Sequence, residues 1–213
     1  IQAIYRSNFV LFGLPLTVSV FGDVASSVAA MVVTVVITIY NTTSVVILEM
    51  FNSEGKTDVK TILVNVVKNP LLQGAVVGLL FFFLGIHVPK SLLTPIAAFA
   101  DATSPVALFV LGGTLHFNAI RGNMKYLVPA LSLKLLVLPA VMLALGYTFG
   151  LRDLELFLLV AIYGTPVAAA SYPMAQNMGG DGELAGQFVV ISTVVAVGTL
   201  FGWIFFMKSV GLI

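Results

Sequence analysis

The sequence predicts an all-α integral membrane protein, and three observations carry this prediction. Of the 213 residues, 59% are hydrophobic and only 9% are charged, whereas about a quarter of the residues of an ordinary soluble domain are charged. Several apolar runs reach the ~20 residues that a helix needs to cross a bilayer core. These runs also lack the polar–apolar alternation of membrane barrel strands, so the spans are expected to be helical.

Seven apolar segments are predicted to cross the membrane. In chain order they cover residues 8–21, 24–49, 69–87, 93–118, 126–149, 155–176 and 184–207. The first and the sixth contain a Gly-x-Pro motif, at Gly13 to Pro15 and at Gly164 to Pro166. We expect these two spans to be interrupted, because a proline removes one helical hydrogen bond and clashes with the preceding turn.

The longest polar stretch, residues 51–68, predicts a central cytoplasmic loop. It contains Lys56, Lys60 and Lys68, and cytoplasmic loops carry an excess of basic residues. Alternating outward from this loop assigns six basic residues to the cytoplasmic side (these three with Arg6, Arg121 and Lys125) and three to the opposite side (Lys90, Arg152 and Lys208). The C-terminus is then expected outside the cytoplasm.

An internal repeat is indicated by the two Gly-x-Pro segments. FGLPLTVSVFGD (12–23) is echoed by YGTPVAAASYPMAQNMGGD (163–181), since each runs from Gly-x-Pro through small residues to Gly-Asp and then a long helix. This pattern predicts a ten-helix carrier of two inverted five-helix repeats. Residues 1–50 would be the last two helices of the first repeat, and residues 69–213 the complete second repeat. Three helices of the first repeat would then be missing, and we expect that these 213 residues alone do not transport.

The paired interruptions also predict a binding site. In lipid, the backbone groups freed by a broken helix have no water to bond, so such breaks survive only inside protein or beside a wet cavity. Two broken helices that cross would bring the positive N-terminal ends of half-helices together, where they can hold an anion. The predicted substrate-binding set contains the breakers and two polar neighbours: Asn8, Gly13, Pro15, Gly164, Pro166 and Ser171.

Two charged residues are candidates for ion or proton coupling. Thr103, Ser104 and Pro105 read as a helix start, with Ser104 as the N-cap, so Asp101 is expected in a break. There Asp101 would carry a proton, or simply stabilise a helix N-terminus. Lys134 lies within the fifth apolar segment and either balances a buried charge or extends its amine to the membrane boundary.

Four stretches resemble the auxin efflux carrier family. RSNFVLFGLPLTVSVFGD is similar to the fourth membrane span of that family, KNPLLQGAVVG to the start of the sixth, AFADATSPVALFVLGGTLHF to the seventh and TPVAAASYPMAQNMGGD to the ninth. The resemblance implies ten helices, a fourth and a ninth helix broken at prolines that cross, and elevator-like alternating access for an organic anion. It also implies that Asn8 contacts the substrate carboxylate. The short central loop favours a bacterial member, whose relatives are associated with malate or malonate.

The expected function is therefore secondary active transport, by efflux or uptake, of a small organic anion, which is expected to be a carboxylate. The expected partners are this anion, a proton or another coupling ion, the bilayer of a bacterial inner membrane, and a second copy in a homodimer. No enzyme, cofactor, metal or nucleic-acid motif is recognised. Two alternatives stay open: a sodium-coupled carrier similar to the bile-acid symporters, and a membrane scaffold or receptor subunit that does not transport.

Overall fold

The computed structural model describes residues 1–52, 64, 67–68, 70–114 and 117–213. Apart from one isolated β-bridge, the regular structure of these residues is helical, which confirms the predicted all-α class. The α-helices are α1 (Gln2–Tyr5), α2 (Leu14–Phe21), α3 (Val24–Asn52), α4 (Pro70–Phe83), α5 (Lys90–Thr114), α6 (Phe117–Ser132), α7 (Leu138–Thr148), α8 (Asp153–Gly164), α9 (Ser171–Asn177) and α10 (Gly182–Ser209); two π-turns are π1 (Phe9–Gly13) and π2 (Leu133–Val137).

Four helical stretches in the described part of the chain are long and apolar enough to cross a bilayer. They are Val24–Phe51, Lys90–Gly113, Ala119–Thr148 and Gly182–Ser209. The stretch Phe9–Phe21 is apolar but shorter, and α4 has 14 residues. The count of seven spans therefore stays a prediction, as does the division into repeats. Most of the predicted central loop lies outside the described residues.

One face of α10 is suited to lipid. Val194, Val197, Phe201 and Phe205 are all more than 60% exposed, and their spacing of three or four residues puts them on one side of the helix. The opposite side carries Val189, Ala196, Leu200 and Met207, which are buried. An apolar surface of this kind is stable in a bilayer. The helix hydrogen-bonds its own backbone N–H and C=O groups, so its apolar side chains can face lipid.

The core surrounds α8. Leu156, Phe157 and Val160 of this helix pack with Phe9 of π1 and Met207 of α10 in one buried cluster. The ring of Phe157 also meets that of Phe21 edge to face, with 5.4 Å between the ring centres. Helix α8 contacts α2, α7 and α10. Residues 165–167, which follow the C-terminus of α8, are therefore held close to the residues that precede π1.

Helix α5 differs from the sequence expectation. Thr103, Ser104 and Pro105 do not begin a helix, because α5 is continuous from Lys90 to Thr114 and contains both Pro95 and Pro105. Asp101 consequently lies within a helix and not in a break. A proline removes only one bond of the helical ladder. The Thr103 hydroxyl donates to the carbonyl of Phe99, one turn back, as threonines within helices do.

The first interruption lies earlier in the chain than the sequence predicted. Residues 9–21 are helical through both Gly13 and Pro15, and the non-helical residues are Arg6 to Asn8. In π1 the N–H of Leu14 donates to the carbonyl of Phe9, five residues back. The wider turn gives the ring of Pro15 room at the second position of α2. Pro15 therefore lies in the first turn of α2 and does not break a helix.

Candidate functional site

Two extended segments cross in the interior of the molecule. One contains Arg6 to Asn8, and the other follows α8 and contains Thr165 to Val167. Ser7 and Val167 form an antiparallel bridge, and the N–H of Asn8 donates to the carbonyl of Pro166 at 2.8 Å. The two interruptions therefore satisfy part of each other's backbone, which the apolar surroundings require. This pairing of the segments is here named the crossover.

Side chains from neighbouring helices anchor the crossover. The hydroxyl of Ser7 donates to the carbonyl of Ile162 in α8 and shares a second hydrogen bond with the hydroxyl of Tyr40 in α3. On the other segment, the N–H of Val167 donates to the hydroxyl of Ser192, which is fully buried in α10. A buried backbone N–H without such a partner would cost about 1–3 kcal/mol. Three helices thus fix the crossover in position.

A cavity of about 540 Å³ lies against the crossover. Its polar wall is formed by Arg6 and Asn8 of the first segment, Tyr40 and Asn41 of α3, and Asp101 of α5. Ala168, Ala169 and Ala170 form part of the wall contributed by the second segment, and their small side chains leave room beside it. The remaining wall is mostly apolar. An apolar cavity with a few converging polar groups is the usual form of a small-molecule site.

The structure brings together only some of the predicted site residues. Asn8 and Asp101 line the same cavity, and Pro166 lies at its edge through the bond between its carbonyl and Asn8. The side-chain amide of Asn8 caps no helix and is half-buried. Although Asp101 was predicted in a break, its place in a continuous helix still lets it reach the cavity. The sequence argument therefore found two cavity residues, one of them for the wrong structural reason.

The other predicted residues lie outside this cavity. Gly13 and Pro15 belong to π1 and α2, and Gly164 packs close to Pro139. Ser171 lines a second cavity of about 310 Å³, together with Gln2, Val167 and Leu184. The hydroxyl of Ser171 has no hydrogen-bond partner among the described residues. Val167 and Ala168 line different cavities, so the crossover separates the two.

Lys134 is buried in the helical core. It lies in π2, its side chain is fully buried, and its Nζ has no hydrogen-bond partner in the described part of the chain. The surrounding elements are α1, α8 and α10, which contact π2. The expectation that Lys134 extends to the membrane boundary is therefore wrong. Lys134 does not line the crossover cavity.

Arg6 is a cavity residue that sequence reasoning missed. It was counted as a basic residue on the cytoplasmic side, but its side chain is only 4% exposed and lines the crossover cavity. The signal that could have found it is its position two residues before Asn8, because alternate residues of an extended segment share a face. Without Arg6 the charge count for the cytoplasmic side falls to five against three.

Comparisons with known proteins agree with this architecture. A family model described as "Membrane transport protein" matches residues 2–204. The chain is also similar to a protein of Rhizobium meliloti (strain 1021) named "Putative malonate transporter", with 28% identity over 145 residues. That similarity covers 66% of this chain and 44% of the relative. The chain thus matches less than half the length of this curated relative.

Proposed function

Because the chain belongs to the auxin efflux carrier family of membrane transport proteins, we propose that it works in secondary active transport of a small organic carboxylate. The observation that carries this proposal is the crossover, with a cavity of about 540 Å³ against it. An interruption of two helices inside an apolar protein costs hydrogen bonds. A binding site is a physical reason to keep both.

The polar residues of the cavity suit a carboxylate. The amide of Asn8 offers it hydrogen-bond donors. The apolar wall accommodates the rest of a small organic molecule. The name of the Rhizobium relative supports malonate as the first substrate to test.

Alternating access around the crossover is the mechanism that we propose. Two cavities lie on the two walls of the crossover, and consecutive residues, Val167 and Ala168, line one each. A movement that closes one cavity while the other opens would pass a ligand from one side to the other. Ser171 lines the second cavity, its hydroxyl has no partner among the residues that the structure describes, and it would meet the ligand along this path.

Asp101 is our first candidate for proton coupling. It shares the cavity with Asn8, so protonation of its carboxylate would remove a negative charge that opposes the incoming anion. Lys134 is the second candidate, because an ionisable residue within a membrane span is a functional candidate. Its burial away from the cavity would require it to act through the packing of π2 against α1, α8 and α10.

Transport by the natural full-length gene product tests this proposal. The protein would be reconstituted in proteoliposomes and given labelled malonate, malate, indole-3-acetate or taurocholate under a pH or sodium gradient. We expect uptake of one carboxylate, and at least a tenfold lower rate for Asn8→Ala because the amide donors are lost. Asn177→Ala is the matched control, since Asn177 is exposed at the end of α9; it should keep at least half of the rate.

Two results would contradict the proposal. Absence of uptake under every gradient would remove the transport function. Uptake of taurocholate alone, and only with sodium, would replace it with a carrier of the bile-acid-symporter type. Equal rates for Asn8→Ala and the wild type would mean that Asn8 does not bind the substrate.

A further inference from the structure

We propose that Arg6 is the counter-ion of the substrate carboxylate in the crossover cavity. This inference rests on the proposed function and adds to it the residue that recognises the charge of the substrate. Its starting point is a guanidinium that is 4% exposed and lines a cavity of about 540 Å³.

The bonded partners of Arg6 are neutral. One terminal nitrogen donates to the amide oxygen of Asn41 at 2.8 Å, and the other contacts the thioether sulfur of Met174 at 2.7 Å. A thioether is a weak acceptor, and these bonds use two of the five N–H donors of a guanidinium. Asp101 lines the same cavity but is not one of these partners. The charge of Arg6 is therefore without a bonded counter-charge in the described structure.

A buried charge without an ionic partner is expensive. A bound carboxylate supplies the missing charge, and its two oxygens match the parallel N–H groups of a guanidinium. Asn41, whose amide oxygen accepts from one terminal nitrogen of Arg6, also lines the cavity, so the guanidinium reaches the cavity wall beside this amide. Binding of the anion thus offsets the unfavourable free energy of burying the charge of Arg6 without a counter-charge.

Asn8 is placed to share the anion with Arg6. Both residues lie in the same interrupted segment, two positions apart, and both line the cavity. Arg6 has extended backbone angles, φ −76° and ψ 126°, which aim its side chain out of the helical register of α1. The interruption therefore presents a cation and an amide to one ligand. A continuous helix at these positions would place the two side chains ~200° apart around its axis.

The main competing explanation is that Arg6 is a structural clamp. Its bonds to Asn41 and Met174 tie the first segment to α3 and α9. A clamp and a counter-ion make different predictions. Loss of a clamp lowers the stability of the empty protein, whereas loss of a counter-ion lowers affinity for carboxylates in a protein that remains folded.

Binding of radiolabelled malonate to the purified natural full-length protein separates these explanations. We expect Arg6→Gln to weaken malonate binding about hundredfold or more, because removal of one partner of a buried charge pair is strongly unfavourable. Arg6→Lys, which keeps the charge but loses the fork, should weaken it at least fivefold. Arg121→Gln is the matched control, because Arg121 is exposed in α6 and outside the cavity. Its affinity should stay within twofold of the wild type.

Thermal unfolding with and without malonate completes the test. Malonate should raise the midpoint of the wild type and of Arg121→Gln, but not that of Arg6→Gln. Malonate affinity of Arg6→Gln within threefold of the wild type would overturn the inference while leaving the proposed transport intact. If Arg6→Gln does not fold, a wild-type affinity for the uncharged diamide malonamide within threefold of that for malonate would overturn it. A wild type that binds none of malonate, malate or indole-3-acetate would overturn both the inference and the proposed function.

Discussion

Buried charged residues are rare in the described interior of this protein. Arg6 and Lys134 are the two charged side chains in the buried core of the described residues, at 4% and 0% exposure. Arg6 borders a cavity, whereas Lys134 is enclosed by helices and its Nζ lacks a partner in the described structure. Neither location can be read from hydropathy, because a single basic residue in an apolar stretch is equally compatible with a loop, a membrane boundary and a core.

Replacement of Lys134 by methionine should stabilise the protein. Methionine has a similar shape and needs no hydrogen bond, so Lys134→Met removes the cost of a buried amine that has no partner among the described residues. Replacement of buried charged groups by apolar ones stabilises proteins by up to about 4 kcal/mol. We expect the thermal unfolding midpoint in detergent to rise by several degrees, while proton-driven uptake falls if Lys134 is a coupling residue.

Lys125→Met is the control for this substitution. Lys125 is exposed and lies 4.8 Å from the ring centre of Tyr126, so its loss should change the midpoint little. A lower midpoint for Lys134→Met than for Lys125→Met would show that Lys134 has a stabilising partner in the intact protein.

The π-turns are the elements that give the interior its shape. In π1 the ring of Phe9 lies directly over Gly13, where a Cβ would come closer to the ring than real contacts allow. Gly13 is therefore needed for close packing, and not for a break in the helix as its Gly-x-Pro motif indicated. In π2 the carbonyl of Leu135 accepts a bond from the indole N–H of Trp203 at 3.0 Å. The contact in π1 is thus internal to the turn, whereas π2 bonds to the neighbouring helix α10.

Gly13→Ala should destabilise the protein by about 1–3 kcal/mol, because the added methyl group displaces the buried ring of Phe9. The thermal unfolding midpoint in detergent would show this as a decrease of several degrees. Gly198→Ala is the control, since a Cβ at Gly198 of α10 meets nothing within 4 Å. That substitution should be neutral or stabilising by up to about 1 kcal/mol.

A second variant identifies the ring of Phe9 as the cause. Phe9→Leu combined with Gly13→Ala should recover part of the lost stability, since a smaller side chain leaves room for the methyl group. If Gly13→Ala alone is as stable as Gly198→Ala, the close packing of Phe9 on Gly13 is not present in solution.

The whole molecule is organised by the crossover, which joins residues far apart in the chain. Its bridge links Ser7 to Val167, and its anchors reach α3, α8 and α10. The relation between the two interrupted segments is compatible with inverted repeats. Their division at residues 50 and 69 and the total of ten helices remain predictions, because the described residues contain four stretches that meet the length of a span.

Cysteine labelling tests the predicted orientation of the molecule. The 213 residues contain no cysteine, so single cysteines can be introduced at Lys68, the last residue of the predicted central loop, and at Ser209, at the end of α10. We expect a membrane-impermeant maleimide to label Ser209→Cys in intact cells and Lys68→Cys only after permeabilisation. The unsubstituted protein is the control for background labelling. The reverse pattern would invert the topology and remove the cytoplasmic assignment of the loop.

The sequence by itself determined the membrane class, the all-α structure and the presence of two interrupted segments, because hydropathy and proline effects act over short stretches of chain. Even so, local chemistry misplaced two features: the break beside Pro15 and the helix start at Pro105. A π-turn and a continuous helix accommodate these prolines.

Only the tertiary structure decided which segments meet, where the first interruption lies, and that Arg6 joins Asn8 and Asp101 at one cavity. These features depend on hydrogen bonds and packing between distant elements. The free energy of such contacts selects among local conformations that the sequence leaves close in energy.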